Sequence, residues 1–161
     1  MTTNNFLIVW HSRTGTSRLL AQQALEGGGG LAKSVEAKDA KPKDFLKCSA
    51  YIFICPENLG SLTGAFKEML DTTYYPLLGQ IEGRPYGSII SAGSDGEGAQ
   101  RQLDRILTGW RLRRVCDPHI VVTGAQTANE IMSEKIPKAS DLKVARDMGE
   151  SFKQGLSLGV F

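Results

Sequence analysis

Cysteine is scarce in this sequence, and its spacing excludes two classes of small protein. The chain has three cysteines, an odd number, at positions 48, 55 and 116. Because disulfide frameworks need even numbers and zinc sites need closely paired ligands, neither is predicted. Cys55 ends a strongly apolar stretch, so we interpret it as a small core thiol, with a redox role as the less favoured alternative.

The sequence also lacks long apolar runs and a strong net charge. No stretch approaches the length of a membrane span, and residues 1–5 carry no basic region of the signal-peptide kind. The formal net charge is only +2, which does not favour nucleic-acid binding. We therefore expect a cytoplasmic protein with no membrane span and no nucleic-acid partner. Its 161 residues predict a single domain over 1–161.

A polar loop, residues 11–18, joins an apolar run to a helical pattern. The run Phe6–Trp10 predicts a strand, and the spacing of apolar residues after position 16 predicts a helix. The N–H groups in the first turn of such a helix point unpaired into the loop and favour an anion. Hydroxyl side chains around a glycine suit a phosphate monoester in particular. The candidate residues are Ser12, Arg13, Thr14, Gly15, Thr16 and Ser17.

This loop differs from the better-known nucleotide loops. It has neither the Gly-x-x-x-x-Gly-Lys lysine that bridges phosphates nor the three-glycine spacing of dinucleotide folds. Because Ser and Thr are also favoured helix caps, a plain capped helix start remains the alternative.

Strand and helix patterns alternate along the rest of the chain. Further strands are predicted at 34–38, 50–55 and 85–91, and a fifth at 114–122 is interrupted by Asp117-Pro118. We expect a flexible loop at Gly27–Gly30, an irregular segment at 124–138 and a last helix that starts at a Ser140 cap. The alternation predicts an α/β fold with a doubly wound five-stranded parallel sheet, order 2-1-3-4-5, and helices on both faces. The carboxyl ends of its strands would bring loops 11–18, 56–64 and 91–98 together.

Two stretches resemble known families. Residues 12–17 match the phosphate loop of flavodoxins, Ser/Thr-x-Ser/Thr-Gly-x-Ser/Thr, at each specified position. Residues 56–71 are similar to the Pro-Glu-Tyr motif of NADPH-dependent FMN reductases, with matches at Pro56, Glu57, Ser61, Gly64, Lys67, Leu70 and Asp71. Asn58 replaces the usual tyrosine of that motif, and Thr63 replaces its proline. The likeness extends from Phe6 to about Val122.

The resemblance implies a flavodoxin-like fold that binds FMN. Residues 12–17 would then hold the phosphate, and the second and third loops would border the flavin ring. The ring-side candidates are Pro56, Glu57, Asn58, Leu59 and Gly60 from the second loop, and Ser91, Ala92, Gly93, Ser94 and Asp95 from the third. Lys67 and Asp71 are expected to stabilise the helix after the second loop.

The loops beside the ring lack aromatic residues. Neither 56–64 nor 91–98 contains Trp, Tyr or Phe before the helices begin, whereas electron-carrying flavodoxins sandwich the flavin between aromatics. With the slightly basic charge, this favours an FMN-dependent NAD(P)H oxidoreductase that takes electrons from NADPH or NADH and passes them to a quinone, flavin or similar small acceptor. No side chain is predicted to be a nucleophile or a metal ligand. The resemblance also implies a homodimer or homotetramer.

Two other functions remain open. One is a flavodoxin-like electron-transfer module without its own NAD(P)H activity, and the other is a phosphate-ligand binding protein that does not bind flavin. Arg101, Arg105, Arg111, Arg113 and Arg114 suit the 2′-phosphate of NADPH or an acidic partner, but a solvated helix face is the favoured interpretation. His11 is interpreted as a structural residue or a ligand contact, and the apolar tail 155–161 as packing on its own domain or on a neighbouring subunit.

Overall fold

The computed structural model describes residues 3–161, which form an α/β fold. The strands are β1 (Thr3–Trp10), β2 (Ala32–Glu36), β3 (Cys48–Asn58), β4 (Ser61–Leu62), β5 (Pro85–Ala92), β6 (Arg113–Arg114) and β7 (His119–Val122). The helices are α1 (Thr16–Gly28), α2 (Pro42–Leu46), α3 (Gly64–Leu77), α4 (Glu97–Gly109), α5 (Ala128–Met132) and α6 (Ala139–Leu158), and a 3-10 turn covers Gly29–Leu31. Within residues 3–161, none of the helices has the length and hydropathy to cross a bilayer.

The sheet has the predicted strand order. β2, β1, β3 and β5 lie side by side and parallel. β6 and β7 both pair in parallel with β5, first at Tyr86 with Arg114 and then at Ile89 with His119. They are therefore two halves of one edge strand. With β6 and β7 counted together, and the two-residue strand β4 left out because it pairs only with β3, the five remaining strands have the order 2-1-3-4-5. Pro118 falls in the interruption, where its missing N–H breaks no ladder hydrogen bond.

The core lies on both faces of the sheet, as the continuous apolar run in β3 predicts. Tyr51 and Phe53 are buried on the face that α3 and α4 cover. Ile52 and Ile54 alternate with them and are buried on the opposite face, against residues of α1 and α6. Because successive side chains of a strand point to opposite faces, a strand covered on both sides has no polar face.

Glycines allow α1 and α6 to pack in close contact. A Cβ on Gly149 of α6 would overlap the carbonyl oxygen of Ala24, and one on Gly27 of α1 would overlap that of Arg146. The prediction of a flexible loop at Gly27–Gly30 is therefore wrong for its first half. Helix α1 continues through Gly28, where a Cβ would overlap Phe6 and Ala32, and Gly29, with φ 54°, ends it.

The structure also corrects the prediction for the segment after β7. Residues 124–138 are not wholly irregular, because α5 lies within them. Thr127 caps this helix by accepting a hydrogen bond from the Glu130 N–H, while the Glu130 carboxylate accepts from the Thr127 N–H. Helix α6 has Lys138 at its N-cap position instead of the predicted Ser140.

The remaining corrections are small shifts and one choice between alternatives. Strand β2 begins at Ala32, two positions before the predicted start, and β3 runs three residues further than predicted, to Asn58. In the apolar tail, Phe161 packs on its own domain, with ring centroids 5.3 Å from Phe152, whereas Leu158 and Val160 are exposed.

Candidate functional site

The loops after β1, β3 and β5 meet at the carboxyl edge of the sheet. The hydroxyls of Ser17 and Ser91 are hydrogen-bonded at 2.8 Å and join the first loop to the third. The carbonyl oxygen of Gly60 lies so close to Gly98 that a Cβ there would overlap it. The Leu62 N–H also donates to Gln102 Oε1 at 2.7 Å. The expected convergence of the three loops is therefore present in the fold.

The first loop has the geometry of an anion site. Gly15 has φ 99°, and its N–H donates to Ser12 Oγ at 3.1 Å. The Leu19 N–H donates to the Gly15 carbonyl, so the N–H groups of the preceding helical residues have no partner within α1. Thr16 and Ser17 are buried at this end of the helix.

The Thr16 hydroxyl provides the test of whether a phosphate fits. Its Oγ1 is buried and has no hydrogen-bond partner among residues 3–161. A buried hydroxyl without a partner is costly, and a bound oxyanion would satisfy it. The residues at this loop therefore fit the phosphate of FMN.

The second loop is a tight hairpin, shorter than predicted. Pro56, Glu57 and Asn58 belong to β3, which pairs antiparallel with β4. Leu59 and Gly60 form the turn with φ 52° and 75°. Positive φ is unfavourable for leucine, and the Leu59 side chain is 95% exposed. Such strain at an exposed apolar tip is a feature of ligand sites and contact sites.

Glu57 is a second residue whose polar atom lacks a partner. Its Oε2 is buried without a hydrogen bond among the described residues. A buried carboxylate oxygen of this kind can accept a hydrogen bond from a ligand N–H.

The third loop is held by the segment that follows β7. Ser91 and Ala92 complete β5 and are buried, whereas Ser94 and Asp95 are exposed. Gly93 lies between them, and its carbonyl oxygen accepts a hydrogen bond from the Gly124 N–H at 2.8 Å. Segment 123–138 therefore fixes the position of this loop.

The same segment adds two charged residues that the sequence did not predict at the site. The Lys135 N–H donates to the Thr14 carbonyl at 2.9 Å, and Lys135 Nζ lies 3.5 Å from Thr14 Oγ1. The Glu134 side chain lies against Gly15 and is 3.7 Å from the guanidinium of Arg18. No local pattern indicates that residues 120 positions away fold back onto the first loop.

Other charged residues have structural partners away from these loops. Arg114 pairs with Asp104 at 3.1 Å, and Arg111 pairs with Glu82 at 3.5 Å; both arginines are exposed. This agrees with the favoured interpretation of the arginine cluster as a solvated face. The ion pair between Lys67 and Asp71, 2.7 Å long, spans one turn of α3 as expected.

Neither Cys55 nor His119 reaches the converging loops. Cys55 is fully buried, and burial raises the pKa of its thiol, so it is inert. His119 Nε2 lies 2.9 Å from Asp141 Oδ1 and joins β7 to α6, a structural role.

His11 begins the first loop and is half-buried. Its desolvation lowers its pKa below the ordinary value of about 6.5. The folded chain therefore binds this proton less readily than the unfolded chain, so stability is retained above pH of about 6.5 and falls as the pH drops below it.

We expect His11→Gln to lose less stability than the wild type between about pH 7 and about pH 5.5. Urea unfolding at both pH values measures this, and an equal loss in both proteins would exclude it.

The strand order, the layers and the loop at the start of α1 define a flavodoxin-like fold. A solved flavodoxin from the domain Archaea matches 95% of this chain and 99% of its own, with a TM-score of 0.75 and 12% identity. A WrbA-like flavodoxin from Agrobacterium tumefaciens matches 97% of this chain and 99% of its own, with a TM-score of 0.72 and 16% identity. The flavodiiron protein from Giardia intestinalis has a TM-score of 0.74 and 16% identity over 98% of this chain, but over 37% of its own.

These similarities concern the fold. At such low identities the shared structure does not by itself show which activity this chain has. No family model matches the sequence, and no curated protein matches it.

Proposed function

We propose that this chain binds FMN and is an NAD(P)H oxidoreductase that passes electrons to a quinone, flavin or similar small acceptor. The observation that carries the proposal is the buried, unpaired hydroxyl of Thr16 at the amino end of α1. In a flavodoxin-like fold this end lies at the reversal of the sheet winding, where ligands bind. When bound, FMN supplies the exchange of electrons between donor and acceptor.

The protein's own part is to bind and orient the cofactor. Residues 12–17 would hold the phosphate through hydroxyls and the first N–H groups of α1. Residues 56–60 and 91–95 would border the flavin ring on two sides. Glu57 Oε2, buried and unpaired, would accept a hydrogen bond from a ring N–H.

An accessible ring face favours an enzyme. The ring-side loops offer Asn58, Leu59 and Ser94 where aromatic residues would cover a flavin, so a nicotinamide or quinone has room to stack. The weak positive charge of the chain also suits anionic NAD(P)H better than an acidic surface would.

A turnover assay tests this function. Protein loaded with FMN should oxidise NADPH or NADH in the presence of a quinone, and protein without FMN should not. Binding of FMN without any turnover would contradict the enzyme and support the second candidate, an electron-transfer module. The fold shared with the archaeal flavodoxin favours that candidate.

Lys135 and Glu134 should affect FMN affinity in opposite directions. Lys135→Gln removes a cation beside Thr14 and should weaken FMN binding about threefold to tenfold. Glu134→Gln removes an anion beside Gly15 and should strengthen FMN binding by a similar factor. Both effects should shrink at high salt. Fluorescence titration with FMN measures them.

The charge-matched control for these variants is Lys143→Gln, on the exposed side of α6. It should leave FMN affinity unchanged. A change of the same sign in the Lys135 and Glu134 variants would show that their charges do not act on the phosphate.

A further inference from the structure

A pocket opens beside the first loop on the side of β2. It has a volume of about 420 Å³ and is lined by the loop together with Trp10, Arg18, Glu36, Met132 and Glu134. The volume is within the range of small-molecule sites. Because the loop forms one wall, the pocket continues from the phosphate position toward the edge of the sheet.

The ends of β1 and β2 form the opposite wall. Trp10 and Glu36 are paired in register at the last positions of these strands. The Trp10 indole N–H donates to Ser34 Oγ at 3.1 Å, which fixes the ring against β2. A rigid indole at this position offers an apolar surface to a flat base.

Glu36 lies at the position where a carboxylate binds ribose in another class of α/β fold. In Rossmann dinucleotide folds, whose three-glycine loop this chain lacks, a carboxylate about 20 residues after that loop binds a ribose hydroxyl. Glu36 has this position relative to Gly15, and its side chain is 24% exposed. Its present partner is Lys38 Nζ, at 2.9 Å, which leaves further acceptor sites on the carboxylate for a diol.

Two arginines connect this carboxylate to the loop. Arg13 and Arg18 both line the pocket. A guanidinium group can donate two parallel hydrogen bonds to the oxygens of one phosphate. Among residues 3–161, the ion-pair partner of Arg18 is Glu134, at 3.7 Å and exposed to solvent. Such exposed pairs are weak enough to exchange for a phosphate.

We propose that this pocket binds the nucleoside diphosphate half of a dinucleotide, with ribose on Glu36, phosphates on Arg13 and Arg18, and the base against Trp10 and Met132. The inference rests on the proposed function, because the dinucleotide is either FAD in place of FMN or the NAD(P)H donor. In both cases the chemistry recognised is that of ADP.

Calorimetric titration with ADP tests the pocket in the full chain. The wild type should bind ADP, and Glu36→Gln and Arg18→Gln should each weaken ADP binding about tenfold. Glu36→Gln should change FMN affinity by no more than about twofold. Glu82→Gln, an exposed glutamate that pairs with Arg111, is the control and should bind ADP like the wild type.

Two further titrations identify the source of the ADP group. If FAD is the ligand, FAD should bind more tightly than FMN, and Glu36→Gln should remove the difference. If NAD(P)H is the ligand, ADP should still bind to FMN-saturated protein and FAD should have no advantage.

The proposal is overturned if FMN binds but ADP does not, or if ADP binding is the same in the wild type and both variants. Failure of the proposed function is a separate result, because it is observed as the absence of FMN binding or as FMN binding without NAD(P)H turnover.

Discussion

Replacing Gly149 by alanine is expected to lower the free energy of unfolding by about 3 kcal/mol, although alanine is ordinarily the better helix former. The reason is the close packing of α1 and α6. A Cβ at this position would overlap the Ala24 carbonyl and lie 3.0 Å from the Gly28 nitrogen. Backbone atoms cannot turn away as a flexible side chain can, so the helices must separate.

Urea unfolding measures the effect, and the chain contains a matched control. Gly109 is also helical, but a Cβ there would meet nothing within 4 Å. Gly109→Ala should therefore be neutral or stabilising by about 0.5–1 kcal/mol. If Gly149→Ala were as stable as Gly109→Ala, the helices would not be in the contact described.

Replacing Thr16 by valine is expected to raise the stability of the protein without ligand and to lower its affinity for FMN. Because Thr16 Oγ1 is buried without a partner, its removal should raise the free energy of unfolding without ligand by about 1 kcal/mol. The same change removes a hydroxyl donor to the phosphate and should weaken FMN binding about tenfold or more. Urea unfolding and FMN titration give the two values.

Thr73→Val is the control for this pair of effects. Thr73 is also buried, but its hydroxyl donates to the Met69 carbonyl at 2.7 Å within α3. Its valine variant should lose stability and keep its FMN affinity. A Thr16→Val protein with undiminished FMN affinity would remove Thr16 from the site.

Much of the fold could be predicted because its signals are local. The apolar run of β3 has no polar face, which indicates a sheet covered on both sides. The Asp117-Pro118 pair marked the interruption between β6 and β7, since proline cannot donate to a ladder. The loop after β1 was identified by the types of its residues and by its place before a helix.

The parts that could not be predicted depend on contacts distant in sequence. Gly27 packs against α6, and Gly28 packs against Phe6. These contacts are distant in sequence, and the glycine run alone predicts a loop. Lys135 reaches Thr14 because α5 and the turn after it direct the chain back across the sheet edge. The sequence predicts a longer loop in place of the hairpin at Leu59, because leucine does not indicate a positive φ.

The most direct test of the central claim compares FMN with riboflavin, which lacks only the phosphate, by quenching of flavin fluorescence in the wild type. If the first loop binds the phosphate through several charge-assisted hydrogen bonds, FMN should bind at least about 100-fold more tightly than riboflavin. Equal affinities, or no binding of either flavin, would contradict the account.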